Sequence, residues 1–267
     1  MNYKNDATLF KDAAWYYAKY RRGYPKFFYD HISRIFKLDK SSRALDLGTG
    51  TGQIAIPLSK IVKEVVAVDP DREMLNEGKS IAQSKGITNI IWLKSRAEDI
   101  TKKLGHFNIT TIGASFHWME QDKVLSKVYQ LTHDHGGVVL VSNTSSIHRN
   151  RGNDEWKDVV LKTIEKYLGK KRKAGKGYFN ETKDKFEDIL KRSEFKVLKP
   201  YNIRYVQEWD VKSIIGFLYS TSYASRRFFG DRIEEFENEL RANLLKLNRS
   251  GKFTETAVLE ALLGQKE

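Results

Sequence analysis

The stretch that most constrains this chain is Ala44-Leu45-Asp46-Leu47-Gly48-Thr49-Gly50-Thr51-Gly52-Gln53-Ile54-Ala55. An apolar strand ends in an acid, glycine then occupies every second position, and an amphipathic helix begins. Glycine admits positive φ and close approach to the backbone, so a ligand can lie against the main chain at the strand's carboxyl end. Beyond this loop a second apolar strand, Val65-Val66-Ala67-Val68, ends at Asp69. A carboxylate there is placed to accept hydrogen bonds from both hydroxyls of a ribose. A dinucleotide site wants G-x-G-x-x-G, with a helix N-terminus facing a pyrophosphate. Here the spacing is G-x-G-x-G. Asp46, two residues before the first glycine, would repel a pyrophosphate and suits a ligand with an ammonium group.

Asp46-Leu47-Gly48-Thr49-Gly50-Thr51-Gly52, Asp69 and the later Ser95-Arg96-Ala97-Glu98-Asp99 resemble the class I S-adenosylmethionine-dependent methyltransferases. The resemblance covers about residues 42–142 and implies S-adenosyl-L-methionine as cofactor. It places Asp46, Gly48, Gly50 and Gly52 against the cofactor, Asp69 on its ribose, and Met74, Ala97 and Glu98 near its adenine. Met74 could instead only pack in the core, and the acidic pair could instead cap a helix.

Upstream, Tyr20-Arg21-Arg22-Gly23-Tyr24-Pro25 resembles the Y-R-P-G-Y-P stretch of a subgroup that includes trans-aconitate methyltransferase-like enzymes. The resemblance implies that Tyr20 and Arg21 close over the methionine carboxylate, where a guanidinium fork fits. The chain departs from that pattern at Arg22. The alternative is an N-terminal helix that only packs on the core.

Composition narrows the field further. The chain has 267 residues, 40% of them hydrophobic and 30% charged, enough for one large α/β domain. No apolar run approaches the roughly 20 residues of a membrane-spanning helix. No signal-type leader is read at the N-terminus, and cysteine is absent. Thiolate metal sites are thereby excluded, and a cytoplasmic location is expected. The net charge of +13 raises nucleic acid as a partner, but only Lys170-Lys171-Arg172-Lys173 and the nearby Lys176 form a concentrated basic run. An anionic small substrate would profit from the same field.

Taken in order, helices are expected over residues 8–20 and 25–36, after the glycine loop, over 71–85 and over 121–132. Pro57 predicts a late start or a kink in the third of these. Strands at 90–93, 107–113 and 138–141 complete an alternating pattern, which predicts a Rossmann-like, seven-stranded, mostly parallel sheet with helices on both faces. His133-Asp134-His135 reads as a helix C-terminus rather than a metal site. The chain is expected to be one domain: N-terminal helices at 1–40, a cofactor core at 41–142, a mostly helical cap at about 143–250 and a final strand at 251–267. Within the cap, helical periodicity appears near 156–167, 186–190, 211–219 and 233–247, with strands near 195–199 and 253–262.

Methyl transfer from a sulfonium needs alignment and exclusion of water, not a covalent catalyst. The family resemblance sets Ala114-Ser115-Phe116-His117-Trp118-Met119, after the fourth strand, beside the transferred methyl group. Ser115 is thus a cofactor neighbour, and His117 is the candidate base or orienting residue for a hydroxyl or amine acceptor. Trp118, Tyr178, Phe179 and Tyr223 are candidate walls of an acceptor pocket, or core beneath the cap. A small-molecule methyl acceptor, with O-methylation of a carboxylate or hydroxyl, is the favoured expectation. An RNA methyltransferase is the alternative, without an N-P-P-Y-type amine site in the sequence, and a non-catalytic cofactor-binding protein is a third.

Overall fold

The computed structural model describes residues 10–143, 154–174, 177–178 and 184–267. The chain forms two compact units. One, the glycine-loop unit, comprises the described parts of Arg22–Ser142, Glu181–Asn202 and Glu260–Glu267. The other, the helical unit, comprises those of Met1–Arg21, Asn143–Asn180 and Ile203–Leu259.

The glycine-loop unit opens with α2 (Lys26–Ile35), following α1 (Ala14–Tyr20) of the helical unit. Then come β1 (Arg43–Leu47), α3 (Ala55–Ser59), β2 (Glu64–Asp69), α4 (Arg72–Ser84), β3 (Ile90–Lys94), β4 (Phe107–Gly113), α5 (Gln121–Leu131) and β5 (Thr132–Asn143). The helix α3 is only one turn long. Pro57 is its third residue, where the amide lacks a helical partner anyway, so the ring is tolerated. Asp71 caps α4 by accepting from the amides of Glu73 and Met74, and Gly86, at φ +66°, ends it. These are the local signals that the sequence advertises.

Seven strands run in the order β3-β2-β1-β4-β5-β10-β8, with β9 (Tyr201–Asp210) added on β10 (Lys252–Gln265). The pairs β1–β2, β1–β4, β2–β3 and β4–β5 are parallel, while β10 runs antiparallel to the short β8 (Lys196–Val197). The sheet is the expected Rossmann-like one. Chain direction across it reverses between β1 and β4, and ligands of open α/β sheets bind at such a switch point.

Three expectations change. His133, Asp134 and His135 do not end a helix: α5 stops at Leu131, and all three lie in the first residues of a β5 longer than the periodicity suggested. The stripe near 186–190 forms α7 (Phe186–Lys191), whose Ile189 and Leu190, with Phe195, join the core made by Leu45, Leu47, Val66 and Leu140. It therefore packs in the glycine-loop unit and not with the segments that flank it in sequence. The strand β9 was not expected at all.

The helical unit holds α1, α6 (Glu155–Leu168), the hairpin of β6 (Lys173–Ala174) and β7 (Gly177–Tyr178), α8 (Val211–Tyr219) and α9 (Ile233–Leu247). Asp210 and Ser213 cap α8 reciprocally. Trp156, Trp209, Phe217, Phe236 and Phe253 anchor its own core.

Candidate functional site

The glycine loop leaves β1 with Gly48, Gly50 and Gly52 all left-handed, at φ +65°, +55° and +83°. Backbone bonds fix it to the next strand: Gly48 and Thr49 donate to the Val68 carbonyl at 2.8 and 3.0 Å. Two glycines are also required by space. A Cβ on Gly48 would stand 2.5 Å from Ser115 Oγ, and one on Gly52 would stand 2.8 Å from the Trp92 ring. Trp92 presses Gly78 of α4 as well, at 2.6 Å from a Cβ there, so one ring seats loop and helix together. Tyr29 of α2 donates to the Gln53 carbonyl at 3.0 Å and holds the loop's far end.

Both acids are buried. Asp69, at the end of β2, accepts from the Gly50 amide at 2.9 Å and from the Asp71 amide at 2.8 Å, one on each oxygen. Burial pushes its carboxyl up to about 6, against the pull of those two amides. Asp46 is 1% exposed and accepts from the hydroxyls of Thr49 at 2.6 Å and Thr111 at 2.7 Å. Burial pushes it up to about 6 too, and the bonds from Thr49, Thr111 and the Ala55 amide oppose the rise. Asp46 thus pins the loop from beneath. Thr111 was missed in the sequence, although it sits directly across from Asp46 in the parallel register of β1 and β4.

The end of β4 supplies the other wall. Ala114 is left-handed at φ +52°, a conformation that a side chain resists and that concentrates at functional sites. Ser115 next to it donates to the Leu47 carbonyl at 3.1 Å and lies against Gly48. Phe116–Trp118 then forms a short turn in which the His117 and Trp118 rings stand 4.4 Å apart. Ser115 is therefore brought to the loop, with His117 and Trp118 two and three residues beyond.

Met74 and Ala97 are buried. Glu98 is buried as well, and its carboxylate accepts from the Glu120 amide at 2.8 Å and from Arg96 at 3.2 Å. Burial alone would raise the Glu98 carboxyl, but the Glu120 amide, its own amide and Arg96 hold it below the usual range. It ties its turn to the start of α5.

Tyr20, Arg21, Tyr178 and Tyr223 belong to the helical unit. The Tyr20 ring covers Gly216, where a Cβ would meet it at 2.3 Å. Arg21 lies over the rings of Tyr17 and Phe217 at 5.0 and 4.7 Å. Tyr223 is buried and Tyr178 exposed, while Phe179 lies outside the described residues. Among the described residues no group of three His, Cys, Asp or Glu side chains is placed to hold a metal ion. None of their helices is long and apolar enough to cross a membrane.

Residues 44–136 match the methyltransferase domain family. That match supports a class I S-adenosylmethionine-dependent methyltransferase. An uncharacterized methyltransferase of Bacillus subtilis, YcgJ, is 31% identical over 102 residues, 38% of this chain and 40% of that protein. The crystal structure of YcgJ superposes with a TM-score of 0.53 at 16% identity, covering 90% of this chain and 99% of that one. The ubiquinone/menaquinone biosynthesis C-methyltransferase UbiE of Vibrio vulnificus is 33% identical over 104 residues, 37% of this chain and 40% of UbiE. The chain thus matches less than half the length of these two curated relatives.

The cofactor that this family and fold imply is S-adenosylmethionine. The residues present fit it. Three glycines bare the main chain where a sulfonium nucleoside would lie, and a Cβ on Gly48 would fill that space toward Ser115. Each Asp69 oxygen accepts one amide and keeps lone pairs for ribose hydroxyls.

The raised acids give a pH signature with two opposite signs. A carboxyl at about 6 in the fold and about 4 when unfolded holds its proton more tightly in the fold. The cost of ionising it in the core therefore appears as pH rises between those values and is relieved below them. Cofactor affinity should move the other way if Asp69 is the ribose acceptor, because a carboxylate accepts hydroxyls as the ionised group. We expect the Kd for S-adenosylmethionine to rise as pH falls below about 6, by up to about tenfold per unit for one proton. Calorimetry from pH 5 to 8 checks this, and a flat profile would exclude Asp69 as the ribose acceptor.

Proposed function

We propose that the protein transfers the methyl group of S-adenosylmethionine to a small-molecule acceptor by direct in-line displacement. The observation that supports this most is the pairing of the three left-handed glycines with the doubly bonded Asp69 carboxylate at the switch point of the sheet. When bound, the cofactor supplies a methyl group on a positively charged sulfur.

The chain's own residues would position and shield. Asp69 would hold the ribose, and the bare main chain at Gly48, Gly50 and Gly52 would follow the ligand closely. Asp46 would set a negative charge beneath the loop, favouring an ammonium group and disfavouring phosphate. Met74, Ala97 and Glu98 would border the adenine. Tyr20 and Arg21 would take the carboxylate end, as in the trans-aconitate methyltransferase-like subgroup. Trp118, Tyr178, Phe179 and Tyr223 would face the acceptor.

His117 is the catalytic candidate. A carboxylate acceptor is already ionised and needs no base, whereas a hydroxyl does. His117→Ala should therefore lower kcat by about a hundredfold or more for a hydroxyl acceptor and by less than about tenfold for a carboxylate. Release of S-adenosylhomocysteine, followed for both acceptor classes, tests the reading. No acceptor-dependent release from any class would contradict it. The identity to UbiE, a C-methyltransferase by name, favours a second reading in which the attacked atom is carbon. A methylated product whose new methyl group lies on carbon would select it.

A further inference from the structure

Between α6 and α9, both of them in the helical unit, lies a groove of about 530 Å³. Val159, Lys162 and Lys166 line it from α6, and Glu239, Asn243 and Lys246 from α9. The spacings are i, i+3, i+7 and i, i+4, i+7, each the mark of a single helix face. Both helices already bury another face, α6 through Trp156, Val160 and Ile164 and α9 through Phe236, Leu240 and Leu244. Two helices that show a second face side by side offer a seat for a further helix.

The charges say which helix fits. Lys166 is matched by Glu239 at 2.7 Å, but among the described residues no acid pairs with Lys162, Lys246 or Arg249. The occupant therefore brings acids, and α9 itself carries them. Its first half holds Glu234, Glu235, Glu237 and Glu239 and no base. Its second half and the turn behind it hold Arg241, Lys246, Arg249 and Lys252 and no acid. The helix macrodipole favours such a bias only in the first and last turns, whereas here it runs the whole length. Exposed Ala242 sits near the midpoint, with Asn238 and Lys246 four residues to either side and Glu235 and Arg249 seven. A second α9 laid antiparallel across a two-fold axis at Ala242 sets acid against base at both ends, and the small side chain lets the helices approach. Leu245 and Leu247, 38% and 39% exposed, add apolar area for such a contact to cover.

We propose that α6 and α9 dock on the same two helices of a second copy of this chain, with the α9 helices antiparallel. The interface is isologous, so every charge contact occurs twice. A face two helices wide, about 20 Å by 22 Å, is small for a specific interface, which sets the expected Kd at about 10–100 µM. The dimer stands independently of what the protein methylates.

Sedimentation equilibrium of the full chain from about 5 to 500 µM should show monomer and dimer exchanging with a Kd in that range. Raising salt from about 50 to 500 mM should weaken the dimer by about tenfold or more. Lys246→Glu/Arg249→Glu and Glu234→Lys/Glu235→Lys each set like charges opposite one another, and each alone should weaken it by about thirtyfold or more. An equimolar mixture of the two should regain the dimer, because the mixed pair sets acid against base at both ends. Ala242→Trp changes an exposed position, so it should keep the melting temperature within about 3 °C while weakening the dimer by about tenfold or more. A monomer throughout the concentration range would overturn the proposal and leave the groove to an acidic helix of another protein. A dimer that the charge variants leave unchanged, or a mixture no tighter than either variant alone, would overturn it too. If a charge variant fails to fold, Ala242→Trp decides: a dimer lost with the fold intact supports the two-fold contact, and an unchanged dimer overturns it.

Discussion

Replacing Gly48 by alanine should lower stability by about 2–4 kcal/mol and weaken S-adenosylmethionine binding by at least about tenfold. Two separate costs add. At φ +65° an L side chain is opposed by its own carbonyl, at about 1–2 kcal/mol. The new Cβ would also stand 2.5 Å from Ser115 Oγ and 2.6 Å from Ser115 Cβ, so the loop or the end of β4 must move. Those are the two surfaces between which the methyl group would be delivered. The double variant Gly48→Ala/Ser115→Gly removes the clash and keeps the dihedral strain, and should recover about half of the lost stability. Gly86→Ala is the matched control. Gly86 has nearly the same φ, +66°, but nothing within 4 Å of a Cβ, so it should cost about 1 kcal/mol and leave binding unchanged. Equal effects at the two positions would mean that contact with Ser115 adds nothing to the cost at Gly48.

The second large effect lies in the helical unit. Lys157 and Glu255 are each 2% exposed and stand 2.5 Å apart, and Asp154, just before α6, is 2.7 Å from the same ammonium. Trp209 donates to the other Glu255 oxygen at 3.0 Å. Burial lowers the Lys157 ammonium, and its bonds to Asp154 and Glu255 outweigh that and hold it above the usual lysine range. Lys157→Met removes the only positive partner of Glu255 among the described residues and leaves a buried carboxylate uncompensated. The expected loss is about 3–5 kcal/mol, read by urea unfolding. Lys157→Met/Glu255→Gln should lose distinctly less, because glutamine stays neutral and can still accept from Trp209. A double variant no more stable than the single one would mean that methionine fails for reasons of shape, not charge.

The glycine loop was legible because its signals are local. Glycines at alternate positions, an acid two residues before them and a capped helix with Gly86 behind it require no knowledge of the rest of the chain. What the loop rests on was less visible. Thr111 reaches Asp46 only through the register of two strands 65 residues apart in sequence, and Trp92 finds Gly52 and Gly78 only once β3 is seated. The strand β9 does alternate, with Tyr201, Ile203, Tyr205, Gln207 and Trp209 more buried than their neighbours. Gln207 breaks the apolar pattern; its amide nitrogen donates to the Tyr205 hydroxyl at 2.8 Å, while its amide oxygen is buried without a partner among the described residues. The short amphipathic stripe of α7 was visible as a helix. Which core it joins was not, since periodicity gives a face and never a partner.

Asp69 and the glycine loop are proposed to hold S-adenosylmethionine. Calorimetric titration of the full chain with S-adenosylmethionine, beside Asp69→Ala, tests this most directly. Saturable binding at about one ligand per chain is expected, weakened about thirtyfold or more in Asp69→Ala, because bonds to a charged acceptor are worth about 1.5–3 kcal/mol each. No binding by the unmodified chain, or binding that Asp69→Ala leaves intact, would contradict it.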